Sequence, residues 1–300
     1  METKSLLAQT RRLLRQSNLR ARKGLGQHFL VDEAVLETIT SAAELTPGDV
    51  IMEIGPGLGI LTGELARQAG LVIAIELDRK LAAILEQTLS SFDNVTIIND
   101  DVLKIDPLAL LQEQKTKLPS AVNTPFNYKV VANLPYYITS PVLRHFLEAS
   151  AKPQIMVVMV QKEVAEAIVA RPGQMSVLSI SVQFYGEPRI ISYVPAGCFY
   201  PAPEVDSAVL RIDVYPQPAV AVGDRDSFFE LVRAGFTASR KQIVNSLTQG
   251  LGLSKTEILS LLKEANIVPQ RRAETLTLDE WALLWQVYTR GRHADGSGTS

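Results

Sequence analysis

The chain has 300 residues, 46% of them hydrophobic and 21% charged, with a formal net charge of −2. This size and composition are typical of a soluble globular protein with one large domain, or a large and a small one. The near-neutral charge does not indicate a nucleic-acid binder as a whole, so any such site would be a local patch. The single cysteine, Cys198, excludes an internal disulfide. This cysteine content, together with the absence of an apolar run long enough to span a membrane, predicts a cytoplasmic protein.

The N-terminal 30 residues hold seven basic residues and one acidic residue, a net charge of +6. The rest of the chain therefore carries −8. We interpret residues 1–22 as a basic N-terminal arm that meets phosphate groups, with a solvated basic tail as the open alternative.

From residue 32 to about 210, apolar runs alternate with amphipathic segments. Strands are predicted at 50–54, 71–75, 95–98, 129–132 and 155–160. Helices are predicted at 34–43, 61–68, 79–89 and 141–149, with a loop at 112–128. Two later apolar runs are predicted to be strands, at an antiparallel edge: 177–185 and 209–214. This rhythm predicts an α/β fold with a mostly parallel sheet and helices on both faces.

After about residue 220 the pattern becomes helical, which predicts a small all-helical C-terminal domain. Ser254 with Glu257, and Thr277 with Glu280, have the spacing of capping boxes before apolar runs. The predicted organisation is a basic arm at 1–22, an α/β domain at 23–215, a helical domain at 220–292 and a disordered tail at 293–300.

A glycine-rich turn, Glu-Ile-Gly-Pro-Gly-Leu-Gly, follows the first predicted strand at residues 53–59. Gly55 and Gly57 let the backbone turn tightly and approach a ligand closely. A dinucleotide fingerprint would require glycine at position 60, which is Ile60. The observed spacing favours S-adenosylmethionine, which has no pyrophosphate, with a purely structural turn as the alternative.

Acidic residues follow the next two predicted strands. Glu76 can accept hydrogen bonds from both ribose hydroxyls of a cofactor, an arrangement that NAD and S-adenosylmethionine sites share. Asp101 can accept from the cofactor's adenine amine. Because parallel strands end at one edge of the sheet, these carboxylates and the glycine turn predict one cofactor pocket. Solvated acidic loop residues are the alternative.

The tetrapeptide Asn133-Leu134-Pro135-Tyr136 follows the strand at 129–132. An exocyclic amine of a base is a poor nucleophile and needs hydrogen-bond acceptors. The Asn133 side-chain oxygen is one acceptor, and a carbonyl freed by the proline turn is another. Tyr136 offers a face for an extruded base. An ordinary strand-to-loop turn is the alternative interpretation.

A proline-stiffened loop at residues 198–207 lies between the two late strands. It could present Phe199 to a base opposite Tyr136, or Phe199 could simply cover the sheet. Cys198 is interpreted as a buried small residue, not a nucleophile.

Taken together, these residues resemble the ribosomal RNA adenine dimethyltransferases of the bacterial KsgA/RsmA type. The resemblance covers roughly residues 20–290 and rests on four motifs: Gly-Leu-Gly-Gln-His-Phe-Leu at 24–30, Glu-Ile-Gly-Pro-Gly-Leu-Gly at 53–59, Asn-Leu-Pro-Tyr at 133–136 and Phe-Tyr-Pro-Ala-Pro-Glu-Val-Asp-Ser at 199–207. It implies a Rossmann-like class I S-adenosylmethionine-dependent methyltransferase sheet.

The resemblance implies N6,N6-dimethylation of two adjacent adenosines in the 3′-terminal hairpin loop of 16S rRNA, late in 30S subunit assembly. It implies S-adenosylhomocysteine as product, no metal, a monomer, and RNA binding by the C-terminal domain. The implied cofactor contacts are His28, Leu30, Gly55, Gly57, Glu76, Asp101 and Asn133. The implied catalytic residues are Asn133, Leu134, Pro135, Tyr136 and Phe199.

Three alternatives accompany this interpretation. An Erm-type enzyme shares the motifs but methylates 23S rRNA. A non-catalytic rRNA-binding assembly factor could retain the fold. A DNA adenine methyltransferase would normally have proline at position 134, so Leu134 argues against it.

Overall fold

In the computed structural model, the described residues are 5–17, 19, 27–117 and 127–296, with side chains up to 291. The chain forms two compact units. The first comprises Met1–Ala165 and Glu187–Val214, and the second comprises Glu166–Gly186 and Tyr215–Ser300. Residues 166–186 therefore group with the C-terminal helices, although the sequence boundaries placed them inside 23–215. No helix in the described ranges is long and apolar enough to cross a membrane.

The first unit contains a seven-stranded sheet in the order β4-β3-β2-β5-β6-β9-β7, and a two-stranded sheet of β1 and β8. The strands are β1 Phe29–Leu30, β2 Val50–Ile54, β3 Leu71–Ile75, β4 Val95–Ile98, β5 Lys129–Asn133, β6 Ile155–Gln161, β7 Gly186–Val194, β8 Phe199–Tyr200 and β9 Ser207–Val214. Strands β2 to β6 pair in parallel, and β9 pairs antiparallel with β6.

The helices of the first unit are α1 Leu6–Gln16, α2 Glu33–Ala42, α3 Ile60–Gln68, α4 Arg79–Thr88, α5 Pro107–Glu113 and α6 Thr139–Leu147. Helix α7, Lys162–Ile168, spans the boundary between the units. The helices of the second unit are α8 Val177–Tyr185, α9 Arg225–Phe236, α10 Ile243–Leu251, α11 Lys255–Glu264 and α12 Leu278–Gly296.

Strands β2 and β3 are buried along their whole length, which explains why their residues are apolar apart from Glu53. The strand order reverses beside β2, because β3 and β4 lie on one side of it and β5 and β6 on the other. Open α/β sheets bind ligands at the carboxyl ends of the strands at such a switch point. The glycine turn follows β2 and the Asn-Leu-Pro-Tyr segment overlaps the end of β5, so both lie at this point.

The predicted strand at 177–185 is wrong, because these residues form helix α8. Ser176 caps the helix: its hydroxyl accepts from the Ser179 N–H, and the Ser179 hydroxyl accepts from the Ser176 N–H. From Ser179 to Phe184 polar and apolar residues alternate, a period-two pattern that favours a strand, so the sequence pattern indicated the wrong structure. The edge strand is β7 instead, whose exposure alternates along the chain.

Other differences concern less apolar segments. The predicted loop at 112–128 begins inside helix α5, and residues 118–126 lie outside the described residues. The predicted basic arm contains helix α1. Residues 18 and 20–26, in and after this arm, lie outside the described residues. Helix α12 continues to Gly296, so residues 293–296 are helical and only 297–300 of the predicted tail fall outside the described part.

The second unit packs around aromatic side chains. Phe184 lies 5.3 Å from Phe228 and 5.2 Å from Phe229 between ring centroids. Trp281 is fully buried and stacks on Phe236. Both predicted capping boxes are present, with reciprocal bonds joining Ser254 to Glu257 and Thr277 to Glu280.

Candidate active site

The glycine turn between β2 and α3 requires glycine for two reasons. Gly55, Gly57 and Gly59 all have left-handed backbones, with φ of 65°, 61° and 80°. A Cβ at Gly57 would lie 3.1 Å from the Phe29 ring, and one at Gly59 would lie 2.9 Å from Leu85. The turn therefore presents bare backbone to the space above the sheet.

Glu76 connects the end of β3 to this turn. Its carboxylate accepts hydrogen bonds from the Gly57 N–H at 3.1 Å and the Asp78 N–H at 2.9 Å. The side chain is 6% exposed, and burial raises the pKa of this carboxyl above its usual value. Asn99 reinforces the strand end, because its amide donates to the Glu76 carbonyl. The carboxylate is thereby held at one position beside the glycine backbone.

Asp101 caps the short turn that follows β4. Its Oδ1 accepts from the Leu103 N–H at 3.1 Å, and its Oδ2 lies 4.0 Å from Lys104 Nζ. These contacts orient the carboxylate at the same edge of the sheet as Glu76. Two exposed apolar side chains accompany the acids: Leu77 is 64% exposed and Leu103 is 37% exposed.

Asn133 is the last residue of β5, and its side chain has a defined orientation. The Nδ2 amide donates to the His28 carbonyl at 3.0 Å, which leaves Oδ1 as an acceptor. The Leu134 N–H donates to the Met159 carbonyl, and the Ile138 N–H donates to the Pro135 carbonyl. The Asn133 Oδ1 atom is therefore available as a hydrogen-bond acceptor at the end of this strand.

Two aromatic rings lie beside this amide. The His28 and Tyr136 rings stack with centroids 5.9 Å apart and planes 21° apart. His28 Nδ1 donates to the Pro201 carbonyl at 2.7 Å, because a carbonyl can only accept. The Tyr136 hydroxyl bonds to the buried Ser207 hydroxyl at 2.8 Å. Burial raises the pKa of the Tyr136 phenol, so the ring carries a neutral hydroxyl.

A cavity of about 650 Å³ joins these elements. Of the predicted site residues, those that line it are His28, Leu30, Gly55, Gly57, Glu76, Asp101, Asn133, Leu134, Pro135 and Tyr136. Bare glycine backbone, two acidic strand ends and apolar walls fit a nucleoside carrying a methionine moiety. Among the described residues, no group of three His, Cys, Asp or Glu side chains converges as a metal site.

Phe199 is the predicted site residue that the structure does not bring into the cavity. It is 4% exposed and packs in the core cluster with Leu30, its register partner across β1 and β8. The arrangement with Phe199 opposite Tyr136 is therefore not present, and the His28 ring holds the position beside Tyr136. An apolar ring at a strand position facing the core gains more from burial than from exposure to a mobile ligand.

The lining residues that sequence reasoning missed include Glu53, Leu77, Leu103 and Tyr137. Leu77 directly follows an acidic strand end, and Leu103 comes two residues after one. That spacing is a usable signal for apolar walls beside the carboxylates. Glu53 precedes the glycine turn and is 1% exposed; burial and the nearby Glu76 charge raise its pKa to about 8.

Known proteins match this chain over nearly its whole length. The ribosomal RNA adenine dimethylase family matches residues 18–284. A Dehalococcoides mccartyi protein, ribosomal RNA small subunit methyltransferase A, is 52% identical over 288 residues, covering 96% of this chain and 95% of that protein. A Moorella thermoacetica protein of the same name is 46% identical and covers 94% and 97%.

Solved structures agree with the fold. The 23S rRNA methyltransferase ErmE has a TM-score of 0.65 at 27% identity, covering 86% of this chain and 98% of that one. A dimethyladenosine transferase from Plasmodium falciparum has a TM-score of 0.70 at 22% identity, covering 88% and 98%. The class I methyltransferase sheet predicted from the sequence is thus confirmed. With its motifs in one cavity and a family match over most of its length, this chain belongs to the ribosomal RNA adenine dimethylase family of S-adenosylmethionine-dependent enzymes.

Proposed function

We propose that the protein dimethylates N6 of two adjacent adenosines in the 3′-terminal hairpin loop of 16S rRNA, late in 30S subunit assembly. The names of the relatives at 52% and 46% identity, both small-subunit methyltransferases, support this choice of RNA. We propose that it acts as a monomer in the cytoplasm. The observation that carries the proposal is the Asn133 amide, fixed with its oxygen available beside an aromatic face.

Asn133 does the positioning at the reacting nitrogen. Because Nδ2 is committed to the His28 carbonyl, Oδ1 accepts a hydrogen bond from the adenine N6 amine. The Leu134 carbonyl, on the turn before Pro135, is the second proposed acceptor. Two acceptors in fixed positions orient the amine lone pair away from the ring plane and toward the methyl donor. Positioning of this kind supplies most of the rate enhancement when the electrophile is already activated.

Tyr136 is the proposed stacking surface for the extruded adenine. Its ring is held on one side by His28 and at its hydroxyl by Ser207, so it is rigid before the base arrives. A base stacked on an aromatic ring gains about 1–3 kcal/mol. A preformed ring therefore lowers the cost of holding the base outside its stack.

The cofactor's proposed partners are the other cavity residues. S-adenosylmethionine, when bound, supplies a methyl group made electrophilic by its sulfonium charge. Glu76 would hold the ribose, Asp101 the adenine amine, and the glycine backbone at Gly55 and Gly57 the methionine moiety, with His28 and Leu30 closing one wall. No covalent intermediate is required of any side chain.

An Erm-type activity on 23S rRNA is the competing assignment, supported by the likeness to ErmE at 27% identity. The small-subunit relatives are more similar, at 52% and 46% identity, which favours 16S rRNA. An assembly factor without catalysis would have no need for the open Asn133 oxygen or the glycine cradle, so the intact cavity argues against it.

The experiment is radiolabelled methyl transfer to 30S subunits from a methylation-deficient strain, followed by nucleoside mass spectrometry. We expect N6,N6-dimethyladenosine near the 3′ end of 16S rRNA. Incorporation into 23S rRNA alone would transfer the assignment to the Erm-type activity. S-adenosylmethionine binding without transfer to either RNA would support the assembly factor.

A further inference from the structure

Helix α1 packs against the elements that build the active site. Ser5 caps its N-terminus, because the Ser5 hydroxyl accepts a hydrogen bond from the Ala8 N–H. Leu14 is 7% exposed and clusters with Phe29, Leu58 and Leu81. Phe29, Leu58 and Leu81 all line the active-site cavity. Helix α1 is therefore packed against the wall of the active-site cavity.

The solvent face of α1 is cationic. Arg11, Arg12 and Arg15 are exposed, and the helix contains no acidic residue. None of the three forms an ion pair within the part of the chain that the structure describes. Arg15 lies three and four residues after the other two, which places the three charges on neighbouring positions of one face. An arginine group without carboxylates is suited to phosphate.

A continuous series of contacts connects this face to the target site. The Arg11 guanidinium lies 5.0 Å from the centroid of the Tyr200 ring. The next residue, Pro201, accepts the His28 hydrogen bond at 2.7 Å. His28 in turn stacks on Tyr136 and holds the Asn133 amide. Arg11 is thus connected to the amine-binding amide through three intervening residues.

We propose that Arg11, Arg12 and Arg15 bind backbone phosphates of the rRNA strand that carries the target adenosine. The proposal rests on the proposed function, since it needs RNA in the adjacent site. Helix α1 then anchors the strand next to the point where the base leaves its stack. Arg11 is fixed by the Tyr200 ring, while Arg12 and Arg15 supply two freely placed charges.

The test uses the full chain with Arg12→Gln and Arg15→Gln together, because glutamine keeps helix propensity and removes charge. Affinity for unmethylated 30S subunits is measured across KCl concentrations at constant magnesium. Each lost phosphate contact makes the plot of log K against log salt less steep, reducing the size of its slope by about 0.7–0.9. We expect the plot for the variant to be less steep by about 1.4–1.8, so its loss of affinity relative to the wild type grows about threefold from 0.2 M to 0.1 M salt. Affinity for S-adenosylmethionine and the melting temperature should stay unchanged.

The matched control is Lys115→Gln with Lys117→Gln, which removes the same charge from another exposed turn. Its slope should match the wild type. An unchanged slope in the arginine variant, or an equal loss in the control, would overturn the α1 proposal while wild-type methylation of 30S still stands. Failure of the wild type to bind or methylate 30S overturns the proposed function, and this proposal with it.

Discussion

Asn133 combines two tasks in one amide, because its nitrogen anchors the His28 carbonyl while its oxygen faces the cavity. Replacing it with alanine removes the acceptor for the reacting amine. We expect Asn133→Ala to lower the single-turnover methylation rate by about 10²-fold or more, the scale measured for single preorganised polar groups. S-adenosylmethionine affinity, measured by calorimetry, should change far less than the rate.

Asn133→Asp is the control for this prediction. It keeps an oxygen acceptor but places a carboxylate against the His28 carbonyl, so the anchor is lost. We expect a rate between those of alanine and wild type. An alanine variant with near-normal turnover would remove Asn133 from the mechanism.

Glu76 is a second residue-scale test, because its carboxylate holds the glycine turn as well as any ribose. Glu76→Ala removes the acceptor of the Gly57 and Asp78 N–H groups. Hydrogen bonds to charged groups contribute about 1.5–3 kcal/mol each, so we expect S-adenosylmethionine affinity to fall at least about tenfold. Glu76→Gln keeps one acceptor oxygen and should lose less. Unchanged calorimetric affinity in the alanine variant would contradict the ribose role.

At the scale of elements, helices α9 and α10 approach so closely that only glycine fits between them. A Cβ at Gly250 would lie 2.5 Å from the Ala234 carbonyl oxygen and 2.6 Å from its Cα. Because these are backbone atoms, the helices would have to separate. We expect Gly250→Ala to lower the free energy of unfolding by about 1–3 kcal/mol, measured by urea denaturation.

Gly291→Ala is the matched control, since nothing lies within 4 Å of a Cβ at that helical position. In an exposed helix this change should stabilise the protein slightly, because alanine has the higher helix propensity. Equal changes in the free energy of unfolding for the two substitutions would show that the close approach of α9 and α10 does not contribute to stability.

The buried strands bounded by turn residues were predictable from the sequence. Strands β2, β3 and β6 were predicted within a residue or two of their ends, because short runs rich in β-branched residues between turn residues favour strands. Helix α8 was not, since polar and apolar residues alternate along it with the period of a strand, and its capping by Ser176 and Ser179 is visible only in the structure. Short helices such as α5, which has seven residues, are too brief to show a helical period.

The site residues at the ends of strands were predictable from the sequence. The side chains that are placed by packing between distant segments of the chain were not. Glu76, Asp101 and Asn133 each terminate or follow a strand, and parallel strands bring such positions together. The inward orientation of Phe199 and the stacking of His28 on Tyr136 depend on the pairing of β1 with β8. Residues 29 and 200 are too far apart in sequence for local patterns to show that pairing.

At the scale of the whole molecule, one buried acid links the stability of the fold to pH. Glu53 lies on the interior strand β2, is 1% exposed and has a pKa of about 8, raised by burial and by the charge of Glu76. In the unfolded chain the same carboxyl titrates near 4.5. Between these two values the unfolded state binds fewer protons than the folded state. The free energy of unfolding therefore falls as pH rises through this window.

Glu53→Gln keeps the shape of the protonated acid and removes its titration. Below about pH 3.5 we expect the variant to melt close to the wild type, because Glu53 is then almost entirely neutral in both the folded and the unfolded chain. Toward pH 8 the variant should become the more stable protein, by an amount on the order of a few kcal/mol. Melting temperatures from about pH 3.5 to about pH 8.5 measure the divergence. The exposed Glu113→Gln is the control and should run parallel to the wild type. If the Glu53→Gln curve also runs parallel, the buried carboxyl does not hold its proton, and the linkage between β2 and pH is wrong.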